Sequence, residues 1–167
     1  MRRSPSRNVR RIVADVEVLF TRSGSIARRI EGLIRQATAS IDCALYRLEH
    51  PALANALDEA AARGVAVRLV LDRGKLREGH SAIRLEEPGR AAVRISSGPY
   101  GGKSKMHHKF AVVDGKIALS GSYNWTVESE SGNFENLVIL RAPAVVSAYC
   151  QEFESLWAQS DCNSIQV

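Results

Sequence analysis

The run VAVRLVLD at residues 65–72 constrains the architecture more than any other part of the chain. Six of its eight residues are apolar and they occupy both parities, so as a strand it presents hydrophobic side chains above and below. A one-sided antiparallel sheet would leave one of those faces in water. Helices packed on either side of a sheet bury both, and the rest of the chain supplies them, because its apolar period switches repeatedly between two and about 3.6. Residues 13–20 alternate as a strand, whereas residues 25–38 carry Ile26, Ile30, Leu33, Ile34 and Ala37 on one helical stripe. Residues 41–46 read as a strand. Pro51 then occupies a first helical turn, Leu53, Ala56, Leu57 and Ala60 form a stripe, and Gly64 stops that helix before the central run. Residues 73–88 are charged and poorly periodic, which fits a loop with at most a short helix. Strands follow at 91–96 and 134–140, and a helix after Pro143, carrying Val145, Val146, Tyr149, Phe153, Leu156 and Trp157, closes the chain. The expected fold is α/β: one mixed β-sheet in a single domain, flanked by helices on both faces.

With 45% hydrophobic and 25% charged residues, a chain of 167 residues can build one real core. Its net charge of +5 is unevenly placed: Arg2, Arg3, Arg7, Arg10 and Arg11 fall in a start that contains no acid, and the remainder carries 18 basic and 18 acidic residues. Residues 1–11 are therefore expected to be a flexible basic arm, 12–160 the folded domain and 161–167 a tail. The run IVADVEVLF is interrupted by Asp15 and Glu17, which argues against a secretory signal, and no segment reaches the length of a membrane span. Cys43, Cys150 and Cys162 are odd in number and lack CxxC spacing, so neither a disulfide framework nor a structural zinc site is expected. A cytoplasmic setting without stable membrane association follows as the expectation.

Chemistry enters with KMHHKFAVVDGKIALSGSYNWT, residues 105–126. In a strand, His107 and Lys109 point one way while His108 and Phe110 point the other. Asp114-Gly115 signals a hairpin, and KIALSGSYN returns as its partner. A two-residue turn at 115–116 sets Lys109 opposite Ser122 and His107 opposite Asn124; a turn at 114–115 sets His107 opposite Ser122. Both keep His107, Lys109, Ser122 and Asn124 on one face, whereas a three-residue turn breaks the agreement. A titratable nitrogen, a fixed cation, a hydroxyl and an amide together suit phosphate. No carboxylate cluster suited to Mg²⁺ stands beside them, so lysine and amide donors are expected to stabilise the transition state in place of a metal, with no cofactor. Asp114 lies off this face and is expected to anchor the turn or a backbone amide. His108 is expected to be structural. Trp125 has two readings, a platform for a nucleobase or a core residue, and Lys103 and Lys105 could guide a polyanion. Tyr46 and Asp72 end strands that run toward the same edge and receive no role.

These residues resemble the phospholipase D superfamily, whose HKD motif is matched by His107, Lys109 and Asp114, with the Gly121-Ser122-x-Asn124 extension also present. SIDCALYRL, PALANALDEAAARGVAVRLVLDRG and NFENLVIL resemble that family's strands and helix, and the likeness is to the short, one-motif branch of small bacterial nucleases and Zucchini-type mitochondrial proteins. The resemblance implies that Glu135 supports the active histidine. It further implies that a neutral histidine attacks phosphorus while a second, protonated histidine gives its proton to the leaving oxygen. Only one motif is present, since His50 and His80 are followed two residues later by Ala52 and Ala82. The second histidine is then expected from another copy, in a two-fold homodimer with one shared site.

Three functions fit these residues: a metal-independent phosphodiesterase acting as a nonspecific endonuclease on DNA or RNA, a lipid hydrolase acting on cardiolipin, and a non-catalytic nucleic-acid-binding module. The endonuclease is the expectation, because a basic loop and arm suit an extended polyanion and no amphipathic membrane helix is evident.

Overall fold

The computed structural model describes residues 11–13, 15–79, 91–101 and 104–161. Their elements run β1 (Arg11–Val13), β2 (Val16–Phe20), α1 (Ile26–Gln36), β3 (Ser40–Leu45), α2 (Pro51–Ala62), β4 (Ala66–Asp72), α3 (Arg73–Arg77), β5 (Ala92–Ser96), β6 (Lys109–Val113), β7 (Ile117–Gly121), α4 (Val127–Ser131), β8 (Asn136–Leu140) and α5 (Pro143–Gln159). The strands form one sheet in the order β1-β2-β8-β7-β6-β3-β4-β5. β3, β4 and β5 are mutually parallel, and every other pairing is antiparallel.

The central run behaves as its composition requires. Val67, Leu69 and Leu71 of β4 enter a core shared with α1 and α2, while Val70 points into a second core under α5. α1 begins where the Ser25 side chain accepts from the Arg28 N–H (3.0 Å), and its Ile26, Ile30, Leu33 and Ile34 are buried. α5 is fastened by more than its buried Val146 and Phe153. Arg68 on β4 forms a fork to Asp42 (2.7 and 3.0 Å), reaches Glu154 of α5 (2.6 Å) and lies 4.9 Å from the Phe153 ring centroid.

Three expectations change. The strand expected over 13–20 is a hairpin in which Val13 faces Val16, so β1 and β2 are separate strands. The folded body also takes in one more residue at each end, with Arg11 paired to Val18 and Asp161 bridging to Ile95; residues 1–10 and 162–167 lie outside the described residues. Finally, β6 and β7 pair Val113 with Ile117 and Phe110 with Ser120, which makes the turn three residues long, Asp114 to Lys116. Neither two-residue register is realised. Asp114 there adopts a left-handed φ of 53°, held by its own side chain, whose oxygens accept from the N–H groups of Thr38, Ala39 (2.7 Å) and Ser40 (3.0 Å).

Candidate active site

The end of the sheet opposite that turn collects the polar residues. β3 and β4 deliver Tyr46 and Asp72 there at their C-terminal ends, β6 starts there with Lys109, β7 leads out to Ser122, and Glu135 precedes β8. Ligands of open α/β sheets sit outside the carboxyl ends of parallel strands for the same geometrical reason. Because His107, Ser122 and Asn124 lie just beyond the strands, their directions escape strand parity, and the one-face argument does not apply to them.

His107 is exposed, and its ring centroid lies 4.4 Å from that of Tyr46. Lys109 Nζ donates to the His107 carbonyl (2.8 Å) and stands 3.3 Å from Nδ1 and 3.4 Å from Nε2 of the ring. Partial burial, then the charges of Lys109 and Lys105, hold the His107 pKa below the ordinary imidazole value, with Asp72 opposing. The neutral, nucleophilic form is thereby favoured. Burial also lowers the Lys109 pKa, against the opposing pull of Glu135. Ser122 Oγ donates a hydrogen bond to Glu135 Oε2 and accepts from the Asn136 N–H (3.2 Å). Gly121 permits this approach: a Cβ there would lie 2.3 Å from the Asn136 carbonyl oxygen.

The main chain before His107 is equally well defined. Buried Asp72 accepts from the Met106 N–H (2.9 Å) and, capping α3, from the Lys75 N–H (3.0 Å). Gly98 packs so closely on Lys105 that a Cβ would meet its carbonyl oxygen at 2.7 Å. Around Tyr46, the ammonium groups of Lys109, Lys75 and Lys105 stand 5.1, 5.7 and 5.8 Å from the ring centroid. Three cations around one buried phenol, beside an imidazole whose pKa is depressed, give a patch of positive charge chemically suited to an anion.

Of the expected site residues, the structure brings together His107, Lys109 and Lys105, and joins Ser122 to Glu135, whose charge acts on Lys109. Glu135 meets Ser122 and Asn133 Nδ2 (3.4 Å), and its charge opposes the lowering of the Lys109 pKa. The side-chain oxygen of Asn124 is buried with no hydrogen-bond partner among the described residues. Asp114, which the HKD resemblance counts among the site residues and strand parity makes a turn anchor, is at the far end of β6, roughly 15 Å of strand away, where it accepts from the N–H groups of Thr38, Ala39 and Ser40. Trp125 is 1% exposed in the core, so the stacking platform is corrected to the core reading. Lys103 lies outside the described residues. His108 turns toward α5, with Nε2 3.3 Å from Glu152 and its ring edge-on to Phe110. Sequence reasoning missed Lys75 and left Tyr46 without a role. Their signal was position, one at and one just past the carboxyl ends of adjacent parallel strands. Among the described residues no cluster of His, Cys, Asp and Glu is arranged to hold a metal ion, and no helix is long and apolar enough to cross a membrane.

A fold and site of this kind define a class, and comparison with known proteins identifies it. The family model for "Cardiolipin synthase, PLD-like domain" matches residues 30–157, and the chain belongs to that family, within the phospholipase D superfamily of phosphodiesterases. Mitochondrial cardiolipin hydrolase from Xenopus tropicalis is 39% identical over 77% of this chain and 60% of its own length. The Homo sapiens protein of the same name is 34% identical over 81% of this chain and 52% of its own length. The chain thus spans between half and three-fifths of these two relatives. The crystal structure of Nuc from Salmonella typhimurium, a phospholipase D family member, superposes with a TM-score of 0.72 at 25% identity, covering 87% of this chain and 95% of Nuc. The names of the curated relatives overturn the cytoplasmic expectation. Its physical basis was too narrow, because unpaired thiols indicate a reducing setting and do not separate one reducing compartment from another.

Proposed function

We propose that the protein is a metal-independent endonuclease, hydrolysing DNA or RNA phosphodiesters at a site shared by two copies. The observation that carries the reading is His107 beside Lys109, with Lys75 and Lys105 gathered on the same Tyr46 ring, an arrangement whose burial and charge hold the His107 pKa down. His107 of one copy attacks phosphorus, the P–O bond breaks, and His107 of the other copy, protonated, gives its proton to the leaving oxygen. The now neutral second histidine takes a proton from water, whose oxygen attacks phosphorus and breaks the P–N bond. Both imidazoles begin with the same depressed pKa, and the bound phosphate anion favours placing one proton between them. Lys109, Lys75 and Lys105 stabilise charge on the non-bridging oxygens, and Asn124 is assigned as a further donor.

A second reading, cardiolipin hydrolysis, is supported by the names of the relatives and would use the same atoms. One experiment separates the two. Purified protein and His107→Ala are incubated in EDTA with single-stranded DNA, duplex DNA, RNA and cardiolipin vesicles. The expected result is EDTA-resistant strand cutting that is lost in the variant; phosphatidate release without cutting would move the assignment to the lipid, and binding without turnover to a non-catalytic module.

A further inference from the structure

Beside Glu135 lies a groove of about 580 Å³ lined by Phe20, Arg22, Ser23, Phe134, Glu135 and Asn136. Phe134 is 84% exposed and Phe20 50% exposed, at the same sheet end as His107. Two exposed phenylalanines lining one groove offer an apolar surface on which a ligand can rest. The backbone that carries Phe134 is held in place. Thr21 Oγ1 donates to the Asn133 carbonyl (2.8 Å) and accepts from the Glu135 N–H (3.0 Å), and the Thr21 N–H donates to the Glu135 carbonyl (3.1 Å). The backbone is thus pinned on both sides of Phe134. The Arg22 guanidinium stands 5.3 Å from its ring centroid.

An exposed aromatic face on a pinned backbone, with a planar cation against it, suits a flat ring with polar edges better than an acyl chain, which would cover the guanidinium with methylenes that offer it no hydrogen-bond acceptor. We infer that this groove is a base-stacking subsite, in which the nucleobase next to the scissile phosphate lies against Phe134 and Arg22. The inference rests on the nuclease reading and deepens it. A base within a duplex cannot offer its face to Phe134, so the subsite selects single-stranded nucleic acid.

The test uses the full chain and two labelled single-stranded oligonucleotides of equal length, one with normal bases and one with abasic residues flanking a central phosphodiester. Binding is measured with His107→Ala protein, which separates the subsite from turnover. The normal strand is expected to bind about tenfold more tightly than the abasic one. Adding Phe134→Ala should erase that difference, and Phe134→Trp should restore it. Equal affinity for the two strands, or an equal loss on both in Phe134→Ala, overturns the subsite. So does dissociation of a dimer by Phe134→Ala in sedimentation, which marks the groove as a contact between copies, and so does binding of cardiolipin vesicles that depends on Phe134 without any base contrast. The nuclease reading fails independently, if wild-type protein cuts neither strand in EDTA while the binding contrast persists.

Discussion

His107 owes its chemistry to its neighbours more than to its place in a motif. A lone imidazole titrates near neutrality, but partial burial and two nearby ammonium groups depress its pKa. The sign of one consequence is fixed: removing a nearby positive charge makes protonation easier. Lys105→Met is therefore expected to raise the pKa of His107, read from its ring-proton chemical shifts against pH, and the acid limb of kcat/KM should move upward with it. No movement would mean that Lys105 does not act on the imidazole. His107 was legible because its spacing from Lys109 survives any hairpin register. Lys75 was not, because a lysine three residues after a strand is ordinary until α3 turns it back over Tyr46. The sequence allows two readings of Trp125, and packing decides between them: its side chain fills the core while its carbonyl accepts from the N–H groups of Glu49 (2.8 Å) and His50 (2.9 Å). Trp125→Ala should cost about 3–5 kcal/mol in chemical denaturation.

At the scale of elements, the β6–β7 hairpin separates two tasks along one strand. Its open end carries His107 and Lys109, and its turn carries Asp114, which ties the hairpin to the start of β3. Asp114→Ala is expected to lose about 1–2 kcal/mol of stability at neutral pH, comparable to losing a helix cap, with Asp114→Asn losing less. Burial raises the Asp114 pKa, yet the hydrogen bonds from Ala39, Ser40 and Thr38 outweigh it and leave the pKa below the ordinary carboxylate value. A depressed carboxylate pKa contributes stability above the unfolded-state pKa that is lost as pH falls through the folded-state value. The gap between wild type and Asp114→Ala should accordingly close in strongly acidic denaturation experiments, while KM for the folded variant stays unchanged. A KM that rose in step with the stability loss would place Asp114 back in the site.

At the scale of the whole molecule, helices on both faces of one mixed sheet follow from a few sequence properties, while the sheet order and the directions of the site side chains do not. Both-face hydrophobicity in β4 dictated helices on both sides, and the parallel β3-α2-β4 unit was legible from a strand, a proline-led helix and a second strand in close succession. The turn length was not, because Asp114-Gly115 suits several hairpin types, and only the contacts with Thr38, Ala39 and Ser40 select the three-residue form. The site escaped strand-parity reasoning because it lies beyond the strand ends. Shared-site chemistry makes a quantitative prediction here. In dimers pairing a wild-type chain with a His107→Ala chain, multiple turnover should fall to near the level of the double variant; half of wild-type activity would show that each chain works alone. Nucleic-acid affinity should fall steeply with added salt, and replacing Lys75 and Lys105 by Met should flatten that slope by about two.

The position of Asp114, at the opposite end of its strand from His107, has a genetic corollary. On the proposed mechanism, His107 alleles should be null at every temperature, because no other side chain of the described site could take the place of the imidazole at phosphorus. Asp114 alleles should be conditional, active in the cold and lost on warming, and rescued by second-site changes that stabilise the body of the domain without touching the site.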